Sequence, residues 1–143
     1  MDEATKADLL KVGALIFDAR KRLLIVKPKK NDFWLFVGGK IEPEETFEEC
    51  LAREIREELG VELAATPIFY GDSPIEPAAG DRLGRTVQIA AYIVTVQGTP
   101  LPSAEIEALH WLSADDYYAK MFLLGSILDK YFIPRLIAEG KIE

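Results

Sequence analysis

The run from Gly38 to Val61 constrains the fold more than any other part of the chain: two glycines, a short loop with Pro43, a capped helix and a stop. Thr46 followed three residues later by Glu49 is a capping box, so a helix begins just after Thr46. Gly60 is placed to end it in the left-handed conformation. The spacing predicts a helix over 47–59. At about 100° per residue, Phe47, Leu51, Ile55 and Leu59 fall on one apolar stripe. That stripe must be covered, so the helix is one layer of a larger packing.

The charges of this helix are oddly placed. Glu54, Glu57 and Glu58 share an arc of about 100° at the border of the apolar stripe. Half-desolvated like charges repel and raise one another's pKa. A divalent cation among them would explain the arrangement, because hard cations take clustered oxygen ligands. A solvated acidic face is the other reading, and the charge pattern alone leaves both open.

The full stretch resembles the signature of the Nudix hydrolases: G, five residues, E, seven residues, then R-E-U-x-E-E-x-G-U, with U a bulky aliphatic residue. Gly39, Glu45, Arg53, Glu54, Ile55, Glu57, Glu58, Gly60 and Val61 match every fixed position. The resemblance covers roughly residues 9–138 and implies an α/β fold, a Nudix-type α/β/α sandwich with a mixed β-sheet. It implies hydrolysis of a diphosphate joining a nucleoside to another group, and Mg²⁺ as cofactor with Mn²⁺ as substitute. Glu54, Glu57 and Glu58 match the metal ligands, and the carbonyl of Gly38 is a further expected ligand. Gly39, Glu45, Arg53 and Gly60 match structural positions, with Arg53 and Glu45 pairing to fix the loop against the helix. The family usually has a tryptophan and then a proline before the two glycines. Trp34 fits, whereas Val37 stands in place of the proline.

The general base is expected either on the motif helix, at Glu57 or Glu58, or at Glu105, six residues before Trp111. Glu107 is the fallback. His110, the single histidine, reads as a partly buried, hydrogen-bonded residue. For substrate contacts the candidates are Lys40, Lys27 and Lys29 of the basic cluster Lys27, Pro28, Lys29 and Lys30, which reads as a solvated turn or a phosphate-facing loop, Arg85, and Trp34 as a stacking surface. Tyr70 and Tyr92 could stack or belong to the core. A nucleoside triphosphate, including an oxidised one, is the expected substrate, with a dinucleoside polyphosphate or nucleotide sugar as alternatives. A catalytically silent binding module on the same fold is the competing class, disfavoured by the intact glutamates.

With 143 residues, 49% of them hydrophobic, the chain is expected to form one domain, 1–143, with a workable core. A net charge of -7 argues against coating a nucleic-acid polymer. The lone cysteine, Cys50, excludes an intrachain disulfide and reads as a small core residue. No apolar run is long enough to span a membrane, so a cytoplasmic protein without a membrane partner is expected, with a homodimer left open.

Along the rest of the chain, residues 1–8 read as a polar lead-in. The runs 9–17 and 23–26 read as the two arms of a hairpin, and 33–37 as a short buried strand. A strand over 61–70, interrupted or ended near Pro67, a loop over 72–84 and a clear strand over 85–96 follow. Residues 98–103 read as a turn and 105–112 as an alternating strand. Residues 114–138 read as helical, interrupted at Pro134.

Overall fold

The computed structural model describes residues 6–78 and 81–143. The expected lead-in and the 72–84 loop therefore fall partly outside the described residues.

The central strand is β1 (Leu9–Leu15), and its residues split by alternation. Leu9 and Leu15 face one apolar cluster, while Val12 and Ala14 face another. The short apolar run in β2 (Leu23–Pro28) splits the same way: Leu23 and Ile25 to the first cluster, Leu24 and Val26 to the second. Strands covered on both faces lose the polar alternation of half-solvated ones, which is why both runs read as continuously apolar.

β1 pairs antiparallel with β3 (Val37–Lys40) and parallel with β7 (Thr86–Ile93). The free edge of β7 is shared by β5 (Ile68–Asp72) and β6 (Glu76–Pro77). Between them the buried Ser73 Oγ accepts from the Ile89 amide at 2.9 Å, continuing the ladder with a side chain. The resulting mixed sheet runs β3-β1-β7-β5. A two-stranded sheet joins β2 to β9 (Ile106–Leu112), and β4 (Glu62–Leu63) pairs with β8 (Val96–Gln97).

One face of the mixed sheet is covered by α1 (Phe47–Leu59), through Cys50, Leu51, Ile55 and Leu59. The other is covered by Leu128, Phe132, Ile133 and Leu136 of the C-terminal helical segment. This is the expected α/β arrangement of a mixed sheet between helices.

The hairpin expectation is corrected. Asp18 organises the tight turn, accepting from the amides of Arg20 and Arg22. Beyond the Phe17–Leu23 bridge, however, β1 and β2 part to different sheets. The 33–37 strand is also displaced: β3 starts at Val37, opposite Ala14, and carries both glycines. Val37 is fully buried; unlike the proline usual there, it keeps its N–H and φ freedom as a strand residue.

The C-terminal helical stretch is broken. α2 (Ala114–Tyr118) is one short capped turn, with Ser113 and Asp116 forming its capping box. A π-helical turn, Leu128–Phe132, then leads into α3 (Ile133–Ala138). Pro134 lies at the start of α3. Proline has no N–H to give and its ring crowds the carbonyl four residues back. The wider π turn, in which Ile133 N–H reaches the Leu128 carbonyl, accommodates both demands.

Candidate active site

α1 forms where the sequence placed it. Thr46 caps it, its hydroxyl accepting from the Glu49 amide at 3.1 Å while Glu49 accepts from the Thr46 amide at 2.9 Å. Gly60 ends it at φ 67°. The last carbonyls of a helix lack internal partners. Here Ser103 and Leu101 supply them, donating to the carbonyls of Glu58 at 3.0 Å and Leu59 at 3.1 Å. This ties the loop before β9, and with it Glu105, to the C-terminal end of α1.

The glycine pair sets the helix close to the sheet. A Cβ on Gly38 would land on the Val12 carbonyl of β1, and a Cβ on Gly39 would land on the Glu54 carboxylate. The second position must stay bare for Glu54 to lie under the loop. The Gly38 amide, in turn, donates to Glu58 Oε2 at 3.2 Å.

Arg53 holds the loop down. Its Nε and Nη2 donate to the two oxygens of Glu45 at 2.7 and 2.9 Å, and its Nη2 also reaches the Lys40 carbonyl at 3.2 Å. The guanidinium holds Glu45 down at about 2. Cys50 sits fully buried beneath this pair, its thiol pushed up to about 12 mainly by burial.

Glu54, Glu57 and Glu58 line one cleft of ≈ 320 Å³, together with Gly38, Lys30, Glu105 and an apolar wall that includes Val26, Phe36 and Ile106. Burial, with the Glu54 carboxylate beside it, pushes Glu58 up to about 8. Burial raises Glu54 as well, against the opposing pull of Arg53. Without a cation both carboxyls therefore hold a proton more tightly than an ordinary glutamate does.

That is the chemistry of a hard-cation site: oxygens crowded enough to bind protons and relieved by a divalent charge. The residues that would hold the ion are Glu54 and Glu58, with Glu57 at the rim. Among the described residues, no three acidic, histidine or cysteine side chains stand together as a finished cage. Arg53 Nη1 lies 2.8 Å from Glu54 and 3.6 Å from Glu57, whose side chain is 55% exposed.

The remaining candidates divide. Glu105 lies in the cleft lining, but Glu107 faces Lys27, at 2.8 Å. Lys27 is thereby occupied outside the cleft lining. Lys29 and Lys40 also lie outside it; it is the Lys40 carbonyl that is used, by Arg53. Arg85 is bound to Asp81, at 2.9 Å, at the start of β7. Trp34 packs edge-on against Phe122 at 5.1 Å. Tyr70 donates to Glu139 at 2.6 Å, and Tyr92 packs between Phe47 and Phe69. His110 binds Asp116 at 2.9 Å, as a satisfied half-buried histidine. Of the basic cluster, Lys30 reaches the cleft lining, whereas the two lysines chosen as substrate contacts, Lys27 and Lys29, do not.

The family model for the NUDIX domain matches residues 8–136. The chain belongs to the NUDIX domain family. It is a Nudix hydrolase, of a family that requires divalent cations. The chain is 36% identical to the CTP pyrophosphohydrolase of Escherichia coli K12 over 108 residues, 73% of this chain and 76% of that protein. It is 31% identical to the 8-oxo-dGTP diphosphatase of Proteus vulgaris over 80 residues, 56% of this chain and 63% of that one. Its fold matches the crystal structure of the MutT protein from Methanosarcina mazei Go1 with a TM-score of 0.76 at 23% identity, covering 97% of this chain and 99% of that one. No helix among the described residues is long and apolar enough to cross a membrane.

Proposed function

We propose that this Nudix hydrolase is a Mg²⁺-dependent pyrophosphohydrolase that cleaves a nucleoside triphosphate, normal or oxidised, to the monophosphate and pyrophosphate. The observation that carries the reading is the half-buried Glu58 carboxyl beside Glu54 in a cleft that Glu57 and Glu105 also line. The two relatives named for a substrate, CTP and 8-oxo-dGTP, both act on nucleoside triphosphates. A cytoplasmic setting belongs to the same proposal.

A bound divalent cation would neutralise phosphate oxygens and lower the pKa of the attacking water. The residues of the chain do the rest. Glu54, Glu57 and Glu58 supply the oxygen donors, and the Gly38 amide orients Glu58. Arg53 and Glu45 keep the glycine loop seated on α1. Glu105, exposed at the mouth of the cleft, takes the proton of the water. The apolar wall from β2 and β9 strengthens the electrostatics by limiting solvent on that side.

The test is a nucleotide panel incubated with Mg²⁺ or Mn²⁺, with products identified by phosphorus NMR. Monophosphate plus pyrophosphate from a triphosphate is the expected result. Orthophosphate as the first product, or turnover confined to nucleotide sugars or dinucleoside polyphosphates, would replace the proposal.

A further inference from the structure

We propose that Lys30 is a specificity-determining residue that binds the terminal phosphate of the substrate, an inference that rests on the pyrophosphohydrolase reading above. The cleft lining contains four carboxylates, Glu54, Glu57, Glu58 and Glu105, and a single cation, Lys30. A divalent ion would neutralise the phosphate oxygens nearest α1. The outer end of a triphosphate then needs a positive partner at the mouth, where an ammonium acts as a point charge for phosphate.

The backbone places Lys30 there. The amide of Lys29 donates to the Glu105 carbonyl at 2.8 Å, and Ser103 donates to the Glu58 carbonyl at 3.0 Å. The segment after β2, the loop before β9 and the C-terminal end of α1 are thus bound edge to edge. The Lys30 side chain itself is only loosely held. Its Nζ lies 4.0 Å from Glu105 Oε2, with the two side chains 77% and 81% exposed. A long, solvated contact of that kind contributes little and gives way readily to a phosphate.

The neighbouring lysine cannot do the same work. Lys27 is only 19% exposed and is held by Glu107 at 2.8 Å, with a further bond to the Pro28 carbonyl. The assignment of Lys30 also predicts a consequence for Glu105. When substrate takes the ammonium, Glu105 loses its only cation partner among the described residues and is left free to face the water.

The experiment compares a nucleoside triphosphate with the diphosphate of the same base, using the full chain with Mg²⁺, in wild type, Lys30→Gln and Lys30→Arg. Losing one charge-assisted bond should raise KM for the triphosphate by about tenfold, with kcat changed by less than about threefold. The loss should be smaller for the diphosphate, so the preference for triphosphate narrows. Lys30→Arg should recover most of it, and the pH profile of kcat should keep its shape. Equal losses on both substrates, no loss, or a fall in kcat with a displaced pH profile would overturn the proposal. An active wild type with an unaffected Lys30→Gln removes the Lys30 assignment alone. A wild type that hydrolyses no nucleotide removes the underlying reading, and the Lys30 assignment with it.

Discussion

The amide of Gly38 donates to the carboxylate of Glu58 at 3.2 Å, joining the glycine loop to the last turn of α1 across twenty residues of chain. This bond is the main influence lowering the affinity of Glu58 for protons. It is outweighed by burial and by Glu54, which leave the group at about 8. Glu58 is thus held in place, yet is poorly stable as an anion until a cation arrives.

A raised carboxylate pKa gives a definite sign. The contribution of Glu58 to apo stability is fully present below the ordinary glutamate value of 4.5 and is lost as pH rises through about 8. Glu58→Gln keeps an acceptor for Gly38 and removes the charge. It should make the apo protein more stable than wild type at pH 7 and slightly more so at pH 9, by on the order of 1–3 kcal/mol, with the difference closing toward pH 4.5, while losing most activity. Metal affinity of the wild type should rise with pH across the same window, because the ion competes with the proton. Urea titrations without metal at pH 6, 7 and 9 check the first part. A Glu58→Gln protein clearly weaker than wild type at pH 9 would contradict it.

Arg53 and Glu45 give the opposite sign. Glu45 is held down at about 2 by Arg53, so its contribution is present above 4.5 and is lost as pH falls toward 2. Arg53→Ala strands the carboxylates of Glu45 and Glu54, whose side chains are 12% and 15% exposed. The variant should melt several degrees below wild type at pH 7. The gap should narrow on acidification toward pH 3. Thermal melts at both pH values decide it, and a gap that widens in acid would remove the pair as the cause.

The two glycines should respond differently to alanine. At Gly38 the added methyl meets the Val12 backbone, which cannot move without breaking the β1–β3 pairing. Gly38→Ala should cost about 1–3 kcal/mol or prevent folding. At Gly39 it meets the end of the Glu54 side chain, which can rotate away. Gly39→Ala should fold, with metal affinity reduced by about 10- to 100-fold because a ligand is displaced. Calorimetric titration with Mn²⁺ on the folded variant is the check; unchanged affinity would mean that Glu54 is not a ligand.

The motif helix was legible in the sequence to the residue, because its signals are local: Thr46 and Glu49 at one end, Gly60 at the other, with an apolar stripe between. The grouping of Glu54, Glu57 and Glu58 was legible for the same reason. The separation of β1 from β2 was not. An apolar run tells how much of a strand is covered, not which strand lies beside it, and the partners of β2 lie in β9, about eighty residues away. The choice among Lys27, Lys29 and Lys30 was hidden too. It depends on the register shift at Lys27/Pro28, which ends the regular pairing just before the cleft.

Glu105 and Glu107 offer a paired test of the base. Glu105→Gln should lower kcat by about 10² to 10⁴ with KM little changed. Glu107→Gln, which loses its contact with Lys27 outside the cleft lining, should cost less than about threefold, roughly 0.7 kcal/mol of barrier. Steady-state kinetics on the best triphosphate distinguishes them. A normal kcat for Glu105→Gln would return the role to Glu57 or Glu58.

The central claim is that the Glu54–Glu57–Glu58 group works by holding a divalent cation. Its most direct test is triphosphate turnover after exhaustive chelation, followed by stepwise return of Mg²⁺, in wild type and Glu58→Gln. The account predicts no turnover in chelator, recovery with Mg²⁺ in wild type, and little recovery in the variant at any Mg²⁺ concentration. Undiminished turnover in excess chelator would contradict it.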